Sequence, residues 1–371
     1  MKKVLFTSTV ARTAIFNFPF MEWFKEQGWE VHYASRDEIN HASCDRYFPV
    51  CFSRSPASFD NVRAYKQLKA IINQEGYNII HCHTPMAGVV TRLAARGARK
   101  QGTKVLYTAH GFHFFKGAPL VNWLLYYPVE KFMSRFADCM FVINNEDYAL
   151  TQAKGFKAGR VVKIDGVGVD LSRFTPADAD EKSRLRKEHG YTNSDFILLY
   201  VAAELSPGKN HKFLIDSLPL LIPQIPSIKL LLVGVGKSSN HLTQLAQRLG
   251  VTKSVDFLGY RNDIPDLCRI ADIQVSPSMR EGLPVNILEG MATGLPIVCT
   301  TIRGHVDLIT HNKNGMLFPK GDNNAFCKAI EALHGDPELR QNLGHMAMED
   351  VKRFSLTTIL PQMANIYKIY M

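Results

Sequence analysis

The sequence predicts an α/β protein built from two doubly wound parallel sheets. Short runs rich in Val, Ile and Leu alternate with helical patterns along the whole chain, as expected for buried parallel strands joined by crossover helices. With 371 residues, of which 46% are hydrophobic, the chain is long enough for two domains with separate cores. None of its apolar runs approaches the ~18 residues of a membrane-spanning helix. We therefore expect two Rossmann-like domains.

The first predicted domain covers residues 1–168. Helical patterns are clear at 61–73 and 87–99. The predicted strands lie at 3–8, 30–34, 79–83, 105–109, 139–143 and 161–164. The chain starts with Met, two lysines and a short apolar stretch, as a secretion signal does, but polar residues interrupt the apolar stretch from Thr7 onwards and no small-residue cleavage site follows. A buried strand fits this pattern better than a secretion signal does, so we expect a cytoplasmic protein.

The second half repeats the scheme after a break. Residues 169–194 contain Gly, Asp, Pro and a charged helix at 181–188, and we predict a linker there. The second domain covers 195–353, and the tail at 354–371 is a helix with an apolar stripe that needs a packing surface. The predicted strands of this half lie at 196–202, 229–233, 255–258, 273–276 and 296–300. Such sheets bind ligands at the carboxyl ends of their strands, so we expect the two domains to face each other across a cleft.

The net charge of +10 favours an anionic partner. Part of the excess lies in a basic cluster, whose members are Arg92, Arg96, Arg99, Lys100 and Lys104. Nucleic acid is one such partner, but no recognised binding motif is present, and the aromatic residues lie near leucines rather than alternating with Lys and Arg. A nucleic-acid-binding protein is therefore the remote alternative.

The cysteines and histidines do not form the pattern of a metal site. Seven cysteines without a Cys-x-x-Cys pair argue against a disulfide framework and against structural zinc. His81 and His83 alternate on a predicted strand and point the same way, but no third ligand lies at a suitable spacing. We expect no metal and no other cofactor.

The most informative segment is SPSMREGLPVNILEG at 276–290, predicted to be a strand end, a loop and a helix. Glu281 lies in the loop and Glu289 in the second helical turn. Gly282 lets backbone amides approach a ligand closely, and the helix N-terminus favours phosphate. One carboxylate can accept hydrogen bonds from two neighbouring sugar hydroxyls. The segment therefore indicates a site for a sugar joined to phosphate.

This segment resembles the signature of family 4 glycosyltransferases, retaining enzymes with the GT-B fold of two Rossmann-like domains. The resemblance extends over nearly the whole chain. Three further segments match the family: GVGVDLSRF at 166–174, AELSPGKNH at 203–211 and FLGYR at 257–261. In the family, the second of these is a phosphate-binding turn and the third meets the nucleotide base. The resemblance also implies that the helix at 354–371 crosses back to the first domain.

The resemblance implies roles for the matching residues of the second domain. Lys209 is implied to neutralise the donor diphosphate and the charge that grows on the leaving nucleotide. Glu289 is implied to hold the ribose hydroxyls. Glu281, with the backbone amides of Gly282 and Leu283, is implied to hold the transferred sugar, so that Glu281 and Lys209 are both catalytic residues.

Two parts of the donor site follow from the same resemblance. The nucleotide base is implied to lie against the backbone around Tyr260 and Arg261. The arginine that often opens the phosphate-binding turn of the family is absent here, and Lys212, Lys237 or Arg12 is the candidate to replace it.

The first domain carries the implied acceptor side. His110 follows a strand and matches the histidine that lines the reaction centre of the family, so it is implied to be catalytic. His83 and His113 are expected to shape the acceptor site. The loop after the first strand, TSTVARTA at 7–14, lacks the paired glycines of many relatives, and we expect Arg12 to act there through its charge.

The expected partners follow from these matches. The resemblance implies transfer of a hexose or N-acetylhexosamine from a UDP-sugar to a glycan or polyprenyl-diphosphate-linked acceptor in bacterial exopolysaccharide or capsule synthesis. A nucleotide-sugar epimerase or phosphorylase on the same fold is the alternative. The aromatic segment at 111–127 and the basic cluster indicate a surface that rests on an anionic membrane, although burial of these aromatics is equally open. We thus expect a metal-independent enzyme, peripheral on the inner face of the cell membrane.

Overall fold

Two parallel sheets organise the chain in the computed structural model, which describes residues 1–371. One compact unit contains residues 1–168 and 356–371, and the other contains residues 169–355. Every strand pairing inside the two sheets is parallel. The predicted class, two doubly wound parallel sheets with surrounding helices, is confirmed.

The first unit contains a seven-stranded sheet. Its strands are β1 (Lys3–Thr7), β2 (Glu30–Ser35), β3 (Arg46–Pro49), β4 (Ile79–His83), β5 (Lys104–Ala109), β6 (Cys139–Val142) and β7 (Arg160–Lys163). Its helices are α1 (Phe18–Glu26), α2 (Asp60–Glu75), α3 (Pro85–Ala94), α4 (Arg96–Lys100), α5 (Leu120–Ser134) and α6 (Asn145–Ala153). The strand order is β3-β2-β1-β4-β5-β6-β7, so successive strands are added to one side of β1 up to β3 and to its other side from β4 onwards. The switch point therefore lies between β1 and β4. Ligands of such sheets bind beside the carboxyl ends of the two strands at this switch point.

The second unit contains a six-stranded sheet. Its strands are β8 (Phe196–Glu204), β9 (Ile228–Val235), β10 (Val255–Gly259), β11 (Ile273–Ser276), β12 (Ile297–Thr300) and β13 (Met316–Phe318). Its helices are α7 (Ala179–Glu188), α8 (His211–Leu221), α9 (Ser239–Arg248), α10 (Ile264–Ile270), α11 (Val285–Ala292), α12 (His305–Leu308), α13 (Asn323–Gly335) and α14 (Pro337–Val351). The order β10-β9-β8-β11-β12-β13 places the switch point between β8 and β11.

The C-terminal helix α15 (Leu356–Lys368) belongs to the first unit. Its buried face includes Ile359, Met363 and Tyr367, whereas Ile369, just after the helix, is 60% exposed. The ring of Tyr367 lies 4.8 Å from that of Phe24 on α1, between centroids. The Tyr367 hydroxyl lies 2.8 Å from Nδ1 of His81 on β4. The stripe that is evident in the sequence therefore packs within this unit.

The segment 169–194 differs from the predicted linker, because it is part of the second unit. Its helix α7 packs against α10. Arg186 of α7 is buried and donates to Asp272 Oδ2 at 2.7 Å, while Lys182 donates to Asp272 Oδ1 at 2.8 Å. The composition of this segment resembles that of a solvated linker, but a largely buried carboxylate pairs with two of its cations and holds the helix in place.

Arg92 differs from its predicted place in the basic surface cluster, because it is fully buried. Its Nη2 donates to Glu130 Oε2 of α5 at 3.1 Å. Its guanidinium carbon lies 3.9 Å from the centroid of the Tyr107 ring, and the Tyr107 hydroxyl donates to Glu130 Oε1 at 2.9 Å. A paired carboxylate compensates the buried charge. The prediction is therefore wrong for Arg92.

Candidate functional site

The candidate site of the second unit lies at the switch point between β8 and β11. The short 3₁₀ helix Pro207–Lys209 carries Lys209 after β8, and the loop after β11 carries Glu281. Lys209 Nζ donates a hydrogen bond to Glu281 Oε1 at 2.6 Å. Two side chains that are distant in sequence therefore form an ion pair at the point where a ligand of this sheet would bind.

Tyr200 of β8 ties the two loops together. Its hydroxyl donates to the carbonyl oxygen of Lys209 at 2.9 Å and lies 2.9 Å from Oγ of Ser278. The amide of Met279 donates to the carbonyl oxygen of Gly208 at 2.9 Å. These bonds connect the backbones that carry the ion pair, so its position depends on the sheet rather than on loop conformation alone.

The turn after β12 supports the loop that contains Glu281. Gly304 has a φ of 82°, and a Cβ there would lie 2.5 Å from the carbonyl oxygen of Gly282, so a side chain is excluded. Arg303 is buried and donates from Nε to the carbonyl oxygen of Glu281 at 3.1 Å. Gly282 is half-buried and Leu283 is buried. The two amides implied to hold the sugar thus belong to a well-supported loop.

The neighbouring histidines, His211 and His305, are neutral at physiological pH, so the side chains that can carry charge at this site are Lys209, Glu281 and Arg303. Burial lowers the pKa of His305 to about 4; Glu281 opposes this effect and Lys209 adds to it. Burial, and to a smaller extent Lys209, lowers the pKa of His211 to about 4. His305 Nδ1 donates to the carbonyl oxygen of Thr300 at 2.8 Å. An anionic ligand would compete with Glu281 for Lys209.

Glu289 lies in the second turn of α11. Burial raises the pKa of its carboxyl group to about 7, and the nearby positive charge of Arg173 opposes the rise. Burial and, to a lesser extent, Glu289 raise the pKa of the Cys268 thiol. Glu289 therefore titrates near neutral pH and can accept hydrogen bonds as a carboxylate only in its ionised form.

The turn after β10 contains the residues implied to meet the base. Tyr260 is 65% exposed. Arg261 pairs with Asp263, with Nε and Oδ1 2.8 Å apart. Nη2 of Arg173 donates to the carbonyl oxygen of Asn262 at 3.4 Å. Because Arg173 also acts on the carboxyl group of Glu289, it connects this turn with the surroundings of Glu289.

Three residues of this region were not identified from the sequence: Tyr200, Arg303 and His305. A tyrosine in a strand and a histidine at a helix start are common, so neither gave a signal. Arg303 is the buried arginine beside Glu281. Of the cations considered from the sequence, Lys212 pairs with Asp216 on α8 and Lys237 is exposed.

The first unit brings His81, His83 and His110 together. The rings of His81 and His83 are 4.2 Å apart between centroids, and His83 Nδ1 lies 3.1 Å from His110 Nε2. Burial lowers the pKa of His81 to about 3 and that of His110 to about 4. Burial also lowers the pKa of His83 well below its usual range, and its Nε2 has no hydrogen-bond partner. All three rings are therefore neutral at physiological pH.

The unpartnered Nε2 of His83 indicates which tautomers His83 and His110 adopt. A buried N–H without a partner is rarer than a buried acceptor without one. We therefore assign the proton of His83 to Nδ1, which donates to His110 Nε2. The proton of His110 is then on its Nδ1.

Arg12 and His113 are the other two residues of the expected acceptor side. Arg12 is exposed in the 3₁₀ helix Ala11–Phe16, which follows β1. The half-buried ring of His113 lies 4.8 Å from that of Tyr126 on α5, between centroids.

No group of three or more His, Cys, Asp and Glu side chains is arranged to hold a metal ion. No helix combines the length and the apolar character needed to cross a bilayer.

Comparisons with known proteins match both units. The family model described as "Glycosyl transferases group 1" matches residues 181–350, and "Glycosyl transferase 4-like" matches residues 3–144. A Bacillus subtilis protein named glycosyltransferase EpsD is 46% identical, over 100% of this chain and 97% of its own length. The chain belongs to the glycosyltransferases. The resemblance noted in the sequence is thereby confirmed, and the chain is a glycosyltransferase enzyme.

Two further comparisons extend this family assignment. The UDP-Gal:alpha-D-GlcNAc-diphosphoundecaprenol alpha-1,3-galactosyltransferase of Escherichia coli is 28% identical over 86% of this chain and 83% of its own length. Among solved structures, Anabaena HepE in complex with UDP and glucose covers 99% of this chain and 100% of its own, with a TM-score of 0.82 and 22% identity. This chain therefore shares the GT-B fold with HepE.

Proposed function

We propose that this glycosyltransferase is a retaining enzyme that moves a hexose or N-acetylhexosamine from UDP to a glycan or polyprenyl-diphosphate-linked acceptor in surface polysaccharide synthesis. The observation that carries the proposal is the ion pair of Lys209 and Glu281 at the switch point of the second sheet. A donor of this class combines an anionic diphosphate with neighbouring sugar hydroxyls. A lysine and a carboxylate side by side suit both parts of such a ligand.

Donor binding would exchange the partners of the pair. The diphosphate would form an ion pair with Lys209 and release the Glu281 carboxylate. That carboxylate would then accept hydrogen bonds from the transferred sugar, and the backbone amides of Gly282 and Leu283 would donate to the same sugar. A preorganised cation at the leaving phosphate stabilises the charge that develops as the glycosidic bond breaks. In this proposal Lys209 supplies that charge stabilisation and no metal ion is needed.

The nucleotide would lie between Glu289 and the turn of Tyr260 and Arg261. Ionised Glu289 would accept hydrogen bonds from the ribose hydroxyls, and the base would rest on the backbone of the turn. Arg173, which contacts this turn and lowers the pKa of Glu289, supports their joint use. UDP is the proposed nucleotide because the HepE structure of the same fold contains it.

The proposed transfer retains anomeric configuration by attack on the face from which UDP departs. The acceptor oxygen bonds to the anomeric carbon as the bond from that carbon to the phosphate oxygen breaks, and the departing oxygen takes the acceptor proton. A glycosyl adduct on Glu281, isolated from the enzyme and its donor, would replace this mechanism with a double displacement.

The acceptor is proposed to bind the first unit, near Arg12, His83, His110 and His113. The neutral ring of His110 would offer a hydrogen bond rather than a charge to the reacting groups. A lipid-linked acceptor is supported by the name of the E. coli relative, which specifies a diphosphoundecaprenol substrate.

Helix α5 supports a peripheral position on an anionic membrane. Leu120, Leu124 and Phe132 are 79%, 74% and 50% exposed. Close to Phe132 lie cationic side chains, with the guanidinium carbon of Arg135 4.3 Å from its ring centroid. The cations Arg96, Lys100 and Arg135 line one surface cavity of about 340 Å³, together with the ion pair of Arg99 and Asp138. An apolar face with a basic border fits the cytoplasmic leaflet of a cell membrane.

The proposed reaction is tested with purified protein and a panel of UDP-sugars, first by calorimetry and then with membrane lipid extract as acceptor. We expect binding of UDP and one UDP-sugar, transfer of its sugar to lipid, and an α-linked product from an α-linked donor. Chelator should leave the rate unchanged. A new sugar nucleotide formed without acceptor would instead identify an epimerase, and an inverted product would refute retention.

A further inference from the structure

A mostly apolar cavity of about 510 Å³ lies at the switch point of the first sheet. The loop after β1, the start of α3 and one face of α5 surround it. Its apolar lining includes Val10, Pro85, Met86, Val89, Leu125 and Val129. Small-molecule sites typically measure roughly 300–1,000 Å³, and switch points are where such sheets bind ligands. Both its size and its location indicate a binding site.

Much of the polar lining is already engaged within the protein. The Oγ1 atoms of Thr9 and Thr84 are 2.7 Å apart, and Oγ1 of Thr13 donates to the carbonyl oxygen of Val10 at 2.8 Å. The carboxylate of Glu130 is bonded inside the core, as described above. A sugar ring needs several convergent donors and acceptors, so the cavity suits a hydrocarbon better.

The cavity also has a cation and a strained residue at its border. Arg54 contributes a permanent positive charge to the lining, and Glu130 pairs with Arg92. Thr84 has a φ of 65°, which is unfavourable for a β-branched residue and is often kept at ligand sites. One guanidinium at an apolar cavity matches a lipid with an anionic phosphate group.

The cavity shares side chains with the exposed face of α5. Leu125 and Val129 line the cavity and are also 60% and 46% exposed. A hydrocarbon chain could therefore pass from a bilayer at α5 into the cavity along apolar side chains.

We propose that this cavity holds the isoprenoid segment nearest the phosphate of a polyprenyl-phosphate-linked acceptor. This inference rests on the proposed function and assigns its lipid a site. The volume accommodates only part of a long chain, so the remainder would lie along α5 in the bilayer.

The test uses the full chain without membranes and a soluble probe, farnesyl monophosphate with a diazirine on its prenyl chain. After photolysis, peptide mass spectrometry maps the adducts. We compare Leu125→Glu with the matched control Leu124→Glu, which changes a neighbouring exposed leucine outside the cavity. UDP binding is measured by calorimetry on the same preparations.

We expect adducts on α3 around Met86 and Val89. Labelling should fall at least about tenfold in Leu125→Glu, because a charge beside the chain opposes its burial. Labelling of Leu124→Glu should stay within about twofold of wild type. Adducts confined to the outer face of α5, or equal losses in both variants, would overturn the cavity proposal even if UDP binds. Cavity labelling without UDP or UDP-sugar binding would support the cavity and refute the proposed transferase donor.

Discussion

Replacing Glu289 with glutamine should stabilise the second unit at high pH while weakening nucleotide binding. Burial raises the pKa of this carboxyl group from its ordinary 4.5 to about 7 in the folded protein. The folded state therefore holds the proton more tightly than the unfolded state does. Stability from this group is fully present below pH 4.5 and is lost as the pH rises through about 7.

The size of the stability change follows from the difference between the two pKa values of Glu289. The difference between 4.5 and about 7 corresponds to at most about 3 kcal/mol of lost stability above pH 8. Glutamine has no charge to bury and avoids this loss. For a unit of this size, each kcal/mol shifts Tm by roughly 2–4 °C, so the variant should melt up to roughly 6–12 °C higher at pH 8.5.

Scanning calorimetry at pH 5 and pH 8.5 without ligand measures the effect. The advantage of Glu289→Gln should be large at pH 8.5 and small at pH 5. The matched control Glu331→Gln, on α13, should show the same minor change at both. In calorimetric titrations at pH 8.5, UDP should bind the Glu289→Gln variant more weakly by about 1–3 kcal/mol, because the hydroxyls lose a charged acceptor. A stability difference independent of pH would refute the burial argument, and unchanged UDP affinity would remove Glu289 from the site.

Three other substitutions test the remaining structural claims. Lys209→Met should reduce turnover by about 10²-fold or more, because the leaving phosphate loses its cation. The matched control is Lys328→Met, which changes the exposed lysine of α13. If both variants turn over at similar rates, another residue carries the charge that stabilises the leaving phosphate. Arg92→Met should cost about 3–5 kcal/mol, since the Glu130 carboxylate becomes an unpaired buried charge; an unchanged melting temperature would contradict this. Tyr367→Phe should cost about 1–2 kcal/mol through the lost bond to His81, and denaturant unfolding measures whether the loss is instead negligible.

The local sequence was sufficient for the sheet class and for most of its strands. Buried parallel strands read as continuous apolar runs, so the central strands were visible from β1 to β12. The edge strands β3 and β13 were missed, because Arg46–Pro49 is partly exposed and Met316–Phe318 has only three residues. Short, half-exposed strands depend on their neighbours for hydrogen bonds, and no local pattern distinguishes them from loops.

The sequence by itself determined the fold class and the chemical identity of the donor-site candidates, because strand periodicity and motif spacing are local properties of the chain. The tertiary structure decided which side chains meet. It joined Lys209 to Glu281 across 72 positions and His83 to His110 across 27. It also buried Arg92 and shifted the pKa of Glu289 toward neutrality, because burial and charge compensation depend on elements that are remote in sequence.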